Sequence, residues 1–361
     1  MRPVLFLLAV LSTSLAAQQP ATPPTPTVPP RAAAQPLPMF RPPVADTGIF
    51  SPIAWPAPNE LRRASGAPGP RYWQQRVDYT IQATLDTAAK GIRGTVKIRY
   101  TNNSPDTLHY VWMQLDQNLF RPGSVGSLLF SSDSRFGARG FEGGFTIETI
   151  TQSAVPAKPA AAARAPVVPP AAPLKTRVDD TMMWVELATP LAPGAATQLD
   201  LAYRFLVPEH GADRMGRDGP LYEIAQWYPR MAVYDDVSGW NTLQYLGQGE
   251  FYLEYGEINY AVTVPAGYIV AGTGILQNPL EVLTATQRAR LAAAARSDSI
   301  SHIITPGELV SGAARPVKSG MLTWRFRAQN VRDVAWAASP EYVWDASAWK
   351  GVIANAYYRP S

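Results

Sequence analysis

Apolar and polar residues alternate with a period of two in several stretches of this chain. The first stretch runs from Arg76 to Asp86, and similar ones follow at about 92–100, 198–205, 258–264 and 322–327. A period of two places successive side chains on opposite faces of a strand, and the polar alternate positions indicate that one face is exposed. Because antiparallel sheets commonly have one solvated face, we expect mainly antiparallel sheets.

Turns and one helix complete the pattern. The clusters NNSPD at 102–106 and LAPGA at 191–195 are typical of hairpin and meander turns. A helix is predicted over about 284–296, because Thr284 and Gln287 are spaced as a capping box before a run rich in Ala, Leu and Arg. The predicted fold is therefore mainly β, with one large antiparallel sandwich or saddle domain at about 72–345 and one peripheral helix.

Three regions lack this periodicity. Residues 1–17 combine a basic start, a short apolar run and small residues, which is typical of a cleaved secretory signal peptide. Residues 18–71 are rich in Pro and Ala and predict a disordered spacer, and the Ala- and Pro-rich stretch 151–175 predicts a mobile insert within the β domain. No later apolar run has the roughly 18 residues that a transmembrane helix needs. We therefore expect a secreted or periplasmic protein without a transmembrane segment.

The excess of positive charge does not indicate a nucleic-acid partner. The formal net charge is +4, but residues 1–75 hold six of the 32 Lys and Arg and two of the 28 Asp and Glu. The rest of the chain therefore carries 26 groups of each sign and is neutral. No basic run or basic helix face occurs in it, so electrostatic binding to phosphates is not predicted.

Local motifs for catalysis or metal binding are absent from the sequence. The three histidines, His109, His210 and His302, lie about a hundred residues apart, and no HExxH motif or closely spaced His pair occurs. The chain has no Cys, which excludes thiol catalysis and thiolate metal ligands, and no GxSxG nucleophile motif. The sequence predicts no catalytic residue and no metal ligand in this chain. His210, in a glycine-rich loop, is either a functional or a structural residue.

One segment has an unusual mixture of side chains. Residues 221–257 contain nine aromatic rings, three Gln and six carboxylates. A buried segment is usually poor in carboxylates, and a solvated loop is usually poor in Trp and Tyr. The mixture predicts a concave, half-polar surface that binds a ligand.

Within this segment, AQWYPRMAVYDD at 225–236 resembles a polar and aromatic motif of the aminopeptidase N family of zinc metallopeptidases, the gluzincins that include leukotriene hydrolase. The paired strands that follow this motif in the family are similar to 249–276, and the strand leading to the family's peptidase domain is similar to 322–344. The resemblance covers about residues 72–358 and implies the family's N-terminal β domain.

The resemblance also implies what this chain does not contain. The family's zinc ligands and general base lie in a thermolysin-like domain that follows the β domain, and no HExxH motif is found in this sequence. Residues 346–361 resemble the start of that domain, so we interpret the chain as truncated and expect it to be inactive alone. Zinc is implied for the full-length protein. The implied partners are a peptide with a free N-terminus and the C-terminal peptidase domain.

Gln226 is the one site residue that the resemblance implies here. Its side-chain oxygen would accept a hydrogen bond from the α-ammonium group of a peptide substrate, which favours a free N-terminus over an internal peptide. Tyr222, Glu223, Trp227 and Tyr228 would be its neighbours. The alternative is that Gln226 has a purely structural hydrogen-bonding role in an aromatic-rich turn. Arg230 is expected to form a local ion pair with Asp235 or Asp236, without a catalytic role.

A second functional hypothesis treats the same segment as a carbohydrate-binding surface. Exposed aromatic rings among carboxylates and amides stack on sugars, and loss of polysaccharide binding in Trp227→Ala would support this hypothesis. The chain would then be a non-catalytic, exported β-sandwich module. Glu250 and Glu254 do not fit a glycosidase pair, because carboxylates four residues apart on an extended strand lie about 13 Å apart.

Overall fold

The computed structural model describes residues 57–129, 140–155, 172–210 and 214–360. Within these ranges the chain is mainly β, as the alternation predicts. The strands are β1 (Arg76–Asp86), β2 (Gly91–Thr101), β3 (Leu108–Gln114), β4 (Thr146–Ala154), β5 (Thr176–Asp179), β6 (Met182–Leu191), β7 (Ala196–Leu206), β8 (Gly216–Asp218), β9 (Leu221–Ile224), β10 (Arg230–Met231), β11 (Tyr234–Asp235), β12 (Gly239–Trp240), β13 (Gly256–Pro265), β14 (Ile269–Gly272), β15 (Ile275–Leu276), β16 (Ser301–Ile304), β17 (Met321–Val331), β18 (Trp336–Ser339), β19 (Val343–Trp349) and β20 (Val352–Tyr358).

The largest sheet has seven strands in the order β15-β17-β13-β1-β2-β7-β4. Two four-stranded sheets have the orders β10-β3-β6-β5 and β14-β18-β9-β8, a three-stranded sheet has the order β16-β19-β20, and β11 pairs with β12. Every strand pair is antiparallel except β1 and β13, which run parallel with Tyr79 opposite Ile258. The expectation of mainly antiparallel sheets is confirmed, with this one exception at the centre of the largest sheet.

The alternating stretches form the strands that they predict, and their apolar positions form the core. In β1 buried and exposed residues alternate, so that Val77, Tyr79 and Ile81 lie inside and the intervening polar residues lie outside. The same alternation occurs along β2, β7 and β13. Burial of the apolar face of each strand against the neighbouring sheets supplies the main stabilising contribution to such a fold.

The close approach of β13 to β1 explains why position 256 is a glycine. A Cβ atom added at Gly256, the first residue of β13, would overlap the backbone oxygen of Val77 in β1. No real Cβ atom approaches an oxygen this closely, so the start of the parallel pair requires a residue without a side chain.

Four α-helices and one 3₁₀ helix connect the strands of the described residues. The helices are α1 (Val125–Leu129), α2 (Pro279–Val282), α3 (Ala285–Ala294) and α4 (Pro306–Ser311), and the 3₁₀ helix is Asp116–Phe120. The predicted helix is α3, and its capping box is present, because the Thr284 side chain accepts from the backbone of Gln287 and the Gln287 side chain accepts from the backbone of Thr284. The sequence pattern did not reveal the other three short helices.

The expected boundaries differ from the strands at two places. Thr151–Ala154, expected to begin the insert, completes β4, and Leu174 donates to the backbone oxygen of Ile150, so both ends of the insert are bonded to the sheet. The expected boundary after Asp345 falls within β19, and Ala346–Tyr358 forms a hairpin that packs on the same compact unit, Trp55–Ser361. The rest of the insert and the predicted signal peptide lie outside the described residues.

The end of the predicted spacer is described from residue 57 onwards. Arg62 forms two hydrogen bonds with the carboxylate of Asp236, at 2.7 and 2.8 Å, so this part of the spacer is attached to the β unit. In the described ranges, no helix combines the length and the apolar character that crossing a membrane requires.

Candidate functional site

The aromatic residues at the start of the 221–257 segment lie in the core. Trp227 and Tyr228 are fully buried and Tyr222 is 3% exposed. The Trp227 ring makes edge contacts with the rings of Tyr228, Tyr260 and Trp336, and its Nε1 donates to the backbone oxygen of Val334 at 2.9 Å. The prediction of one concave ligand-binding surface is therefore wrong for these rings, which anchor the segment instead.

Gln226 precedes these anchors and has an unusual backbone conformation. Its φ is +53°, in the left-handed region, and its exposed fraction is 3%. Six other non-glycine residues of the described chain have positive φ, and each of them is exposed or partly exposed. A non-glycine residue held in this region costs on the order of 1 kcal/mol or more, and it persists only where its surroundings fix it.

Hydrogen bonds fix Gln226 on both its main chain and its side chain. The backbone oxygen accepts from Nε2 of Gln117 at 2.9 Å, and the side-chain Nε2 donates to the hydroxyl of Tyr245 at 3.2 Å. Within the described residues, no donor bonds to the side-chain oxygen of Gln226. This oxygen is an acceptor that a cationic donor could use.

Arg230 ends the short segment that Gln226 begins, and it is completely buried. Its guanidinium pairs with Asp116 at 2.8 Å and with Asp333 at 2.5 Å, and the Tyr228 hydroxyl donates to Asp333 at 2.8 Å. The ring of Phe251 lies over the guanidinium, 4.2 Å from it to the centroid. Asp116 would be costly to ionise alone at this depth: burial raises its pKa, and Arg230 opposes that shift.

The expected ion pair between Arg230 and Asp235 or Asp236 is wrong, because distant residues supply the partners of Arg230. Asp236 pairs with Arg62 instead. The expected acidic turn is present, since Asp235 accepts from the backbone N–H groups of Val237 and Ser238 and also from the Tyr252 hydroxyl.

The two carboxylates of the 249–256 stretch have different environments. Glu250 is exposed and pairs with Arg214, whereas Glu254 is 6% exposed. Burial, followed by the negative charge of Asp235, raises the pKa of Glu254 to about 7. Glu250 is therefore paired with Arg214 at the surface while Glu254 is buried, and the two carboxylates do not share one environment.

A covering segment, which we define as Tyr245–Phe251, lies over Gln226 and Arg230. The rings of Tyr245 and Phe251 contact each other with centroids 4.8 Å apart, and these two residues contact Gln226 and Arg230 respectively. Gly247 and Gly249 within it both have positive φ. The covering segment is thus attached at both of its ends to the 226–230 segment.

The histidines remain separate from this region and from one another. His109 is exposed on β3, His210 lies 4.0 Å from Glu209, and His302 bonds to Asp345 at 2.7 Å. No cluster of three or more His, Asp or Glu in the described ranges could hold a metal ion. The part of the chain that the structure describes therefore does not fit the zinc that the family resemblance implies.

Asn102, in the NNS sequence, is buried and donates to two backbone oxygens, so it has a structural role.

A groove of about 840 Å³ lies beside the segment, between β9, β14, β18, β17 and the β19–β20 hairpin. Ile224 and Ala225, directly before Gln226, line it together with Trp336, Trp344 and Tyr357. Its walls are mostly apolar, as in many ligand-binding clefts.

Three residues of the Gln226 region could not be found from the local pattern. Asp116, Gln117 and Asp333 are more than 100 positions from the residues that they bond in the 226–230 segment. The sequence around them contains no motif that marks such contacts. The signal for this region was confined to the segment 221–257 itself.

Comparisons with known proteins gave matches to solved structures alone. No family model matches the chain, and no curated protein matches it. An M1 zinc metallopeptidase mutant from Deinococcus radiodurans bound to a Tyr-Ser-Ala substrate is 10% identical, with a TM-score of 0.42, over 80% of this chain and 48% of that one. A two-domain M1 zinc metallopeptidase mutant bound to L-tryptophan is 10% identical, with a TM-score of 0.40, over 79% and 47%.

The unbound M1 enzyme from Deinococcus radiodurans is 10% identical, with a TM-score of 0.37, over 74% of this chain and 42% of that one. This chain thus spans less than half the length of these metallopeptidases. Identities of 10% and TM-scores below 0.5 do not establish membership of their family.

Proposed function

We propose that this chain is the N-terminal substrate-recognition region of an exported, zinc-dependent metallopeptidase of the aminopeptidase type. The observation that carries the proposal is the buried, left-handed Gln226, the residue that the motif at 225–236 implies for recognition of a peptide N-terminus. Backbone strain held by buried partners occurs preferentially at ligand-binding sites. The zinc ligands and the general base belong, in this proposal, to a peptidase domain outside the chain.

The chemistry assigned to Gln226 needs its side-chain oxygen. This oxygen would accept a hydrogen bond from the α-ammonium group of the substrate, a charge-assisted bond worth about 1.5 to 3 kcal/mol. The Tyr245 hydroxyl accepts from Nε2 of the same amide, so this bond leaves the oxygen available to the substrate. A peptide with a blocked N-terminus lacks the positive charge, so its hydrogen bond to Gln226 would contribute much less binding free energy.

The burial of Trp227 argues against the carbohydrate-binding alternative. Trp227, the residue whose replacement was expected to abolish sugar binding, is completely buried and contacts three other aromatic rings. A buried indole cannot stack on a sugar. Loss of sugar binding in a Trp227→Ala variant would reflect damage to the core.

The first test is made in the complete polypeptide of the reading frame. We expect Gln226→Ala to lower kcat/KM for free-amine dipeptide amides about 10-fold or more, mainly through KM, because one charge-assisted hydrogen bond is lost. N-acetylated counterparts should change less than twofold. Gln248→Ala, an exposed Gln in the covering segment, is the matched control and should leave both substrates unchanged.

Equal losses for free and blocked substrates would remove the recognition role of Gln226. Activity that persists after chelation of zinc with 1,10-phenanthroline would contradict the zinc-dependent class. Export is tested separately by the N-terminal sequence of the mature protein, which we expect to begin shortly after residue 17.

A further inference from the structure

Gln117 is a buried amide on the 3₁₀ helix that faces the 226–230 segment. Its exposed fraction is 1%, and its Nε2 donates to the backbone oxygen of Gln226 at 2.9 Å. Asp116, its neighbour in the chain, bonds to Arg230. Two consecutive residues of one short helix therefore hold the first and last residues of the segment.

The hydrogen bond from Gln117 is made to the backbone of Gln226, which has the unusual positive φ. In the left-handed conformation the peptide group after residue 226 is turned relative to a strand or right-handed helix, so its oxygen points in a different direction. A donor placed at that oxygen selects this conformation over the alternatives. On the other side, the Trp227 indole is fixed by the backbone oxygen of Val334. Together these bonds set the direction in which the Gln226 side chain leaves the backbone.

Gln117 contributes little to stability by itself. Its Oε1 is buried, and no hydrogen-bond partner reaches it within the described residues. An unpartnered buried acceptor costs about 1 to 3 kcal/mol, which offsets the net gain of about 1 kcal/mol from the bond at Nε2. An apolar side chain of similar size would remove this unpartnered oxygen, but it would also leave the backbone oxygen of Gln226 without its donor. The polar amide is therefore better explained by what it does to Gln226.

We propose that Gln117 is a positioning residue for amine recognition: its amide N–H holds Gln226 in the left-handed conformation that directs the Gln226 oxygen towards a substrate ammonium group. The inference rests on the function proposed above for Gln226. It adds a residue, distant in the sequence, on which selectivity for a free N-terminus depends.

The kinetic test uses the complete polypeptide and the same pair of free-amine and N-acetylated substrates. We expect Gln117→Leu to raise KM for the free-amine substrate roughly 3- to 10-fold, with kcat within about twofold, since a hydrogen bond of about 1 kcal/mol orients Gln226. The N-acetylated substrate should be unaffected. A purely structural role would lower the activity on both substrates alike.

Two variants control this test. Gln114→Leu removes another amide whose oxygen is buried and unpartnered, on the strand next to Arg230, and it should leave selectivity unchanged. Gln117→Met keeps the length of the side chain without the donor and should reproduce Gln117→Leu, which guards against a folding defect of the branched variant. Unchanged selectivity in both Gln117 variants would overturn the inference.

A second measurement is independent of activity and uses this chain as it stands. The three-bond coupling between the amide and α protons of residue 226, measured by NMR, reports its φ. We expect the coupling of a positive φ in the wild type and a different value in Gln117→Leu, with Gln114→Leu as control. An unchanged coupling would contradict the positioning role.

The outcomes separate the two proposals. If Gln226→Ala leaves the preference for a free amine intact, the proposed function fails. If Gln226→Ala abolishes the preference but the Gln117 variants retain it, the inference about Gln117 alone fails.

Discussion

Buried polar residues determine the character of the 226–230 segment. Arg230 and Asp116 are both excluded from solvent, so each depends on the other for compensation of its charge. Removing one partner of a buried pair leaves an uncompensated charge, which typically costs about 3 to 5 kcal/mol. The 226–230 segment is therefore anchored at Arg230 by this buried pair.

Glu254 gives a prediction about pH at the residue scale. Burial raises its pKa from the ordinary 4.5 to about 7, so between these values the folded chain binds a proton that the unfolded chain does not. The free energy of unfolding should therefore fall as the pH rises from about 4.5 to 7, by up to about 3 kcal/mol, and level off above that. Urea unfolding at several pH values measures this slope.

In Glu254→Gln, whose side chain is neutral at every pH, the free energy of unfolding should not show the fall between about pH 4.5 and 7 that the wild type shows. Glu250→Gln changes an exposed carboxylate four residues away and should keep the wild-type slope. Parallel curves for the wild type and Glu254→Gln would show that Glu254 does not titrate in this range.

At the residue scale the sequence proposed Gln226 as a site residue but did not predict its environment. The motif at 225–236 supplied the residue, while its left-handed φ and its contact with Gln117 come from chain segments 109 positions apart. A local pattern contains no information on such contacts. For the same reason the sequence suggested Asp235 or Asp236 as partners for Arg230, the acidic residues nearest along the chain.

At the scale of elements, local signals were sufficient for the strands and for α3. Alternation gives a strand its buried face, and the Thr284–Gln287 capping box marks a helix start, so β1 and α3 follow from short stretches of sequence. A second capping box, Thr305 with Glu308 at the start of α4, could have been found by the same rule. The pairing of β1 with β13 could not, because period-two alternation does not specify the neighbour of a strand.

The parallel pairing of β1 with β13 gives a prediction about the start of β13. Gly256→Ala should destabilise the chain by at least about 2 kcal/mol, because the new methyl group would overlap the backbone oxygen of Val77, which cannot move without disturbing β1. Gly267→Ala is the matched control, since no atom lies within 4 Å of the place that its methyl group would take. Urea midpoints of the two variants give the comparison, and equal midpoints would contradict the close approach.

For the whole molecule, the sequence predicted the fold class and the general arrangement of one large β unit. It placed the end of that unit at about residue 345, inside β19. This boundary came from the strand pattern, and the pairing of β19 with β20 crosses it. Trp344 on β19 stacks on Tyr357 of β20 with ring centroids 4.9 Å apart, so the hairpin belongs to the packed structure.

This packing gives a prediction at the scale of the molecule. A chain ending at Asp345 should unfold at a markedly lower urea concentration than one ending at Arg359, because it loses β20 and exposes the Trp344 ring. Burial of a large aromatic side chain alone contributes roughly 2 kcal/mol. Both chains should be compared from the same starting residue. Equal midpoints would show that β20 does not stabilise the rest of the unit.

The parallel contact between β1 and β13 has a consequence for biosynthesis. Tyr79 pairs with Ile258, so the central pair of the largest sheet cannot form until about 180 further residues have left the ribosome. Strand pairings between distant positions form slowly, because the long intervening loop must close first. In a nascent chain β1, β2, β7 and β4 are therefore available about 50 residues before β13, and β1 keeps one unpaired edge until residues 258–263 have been made.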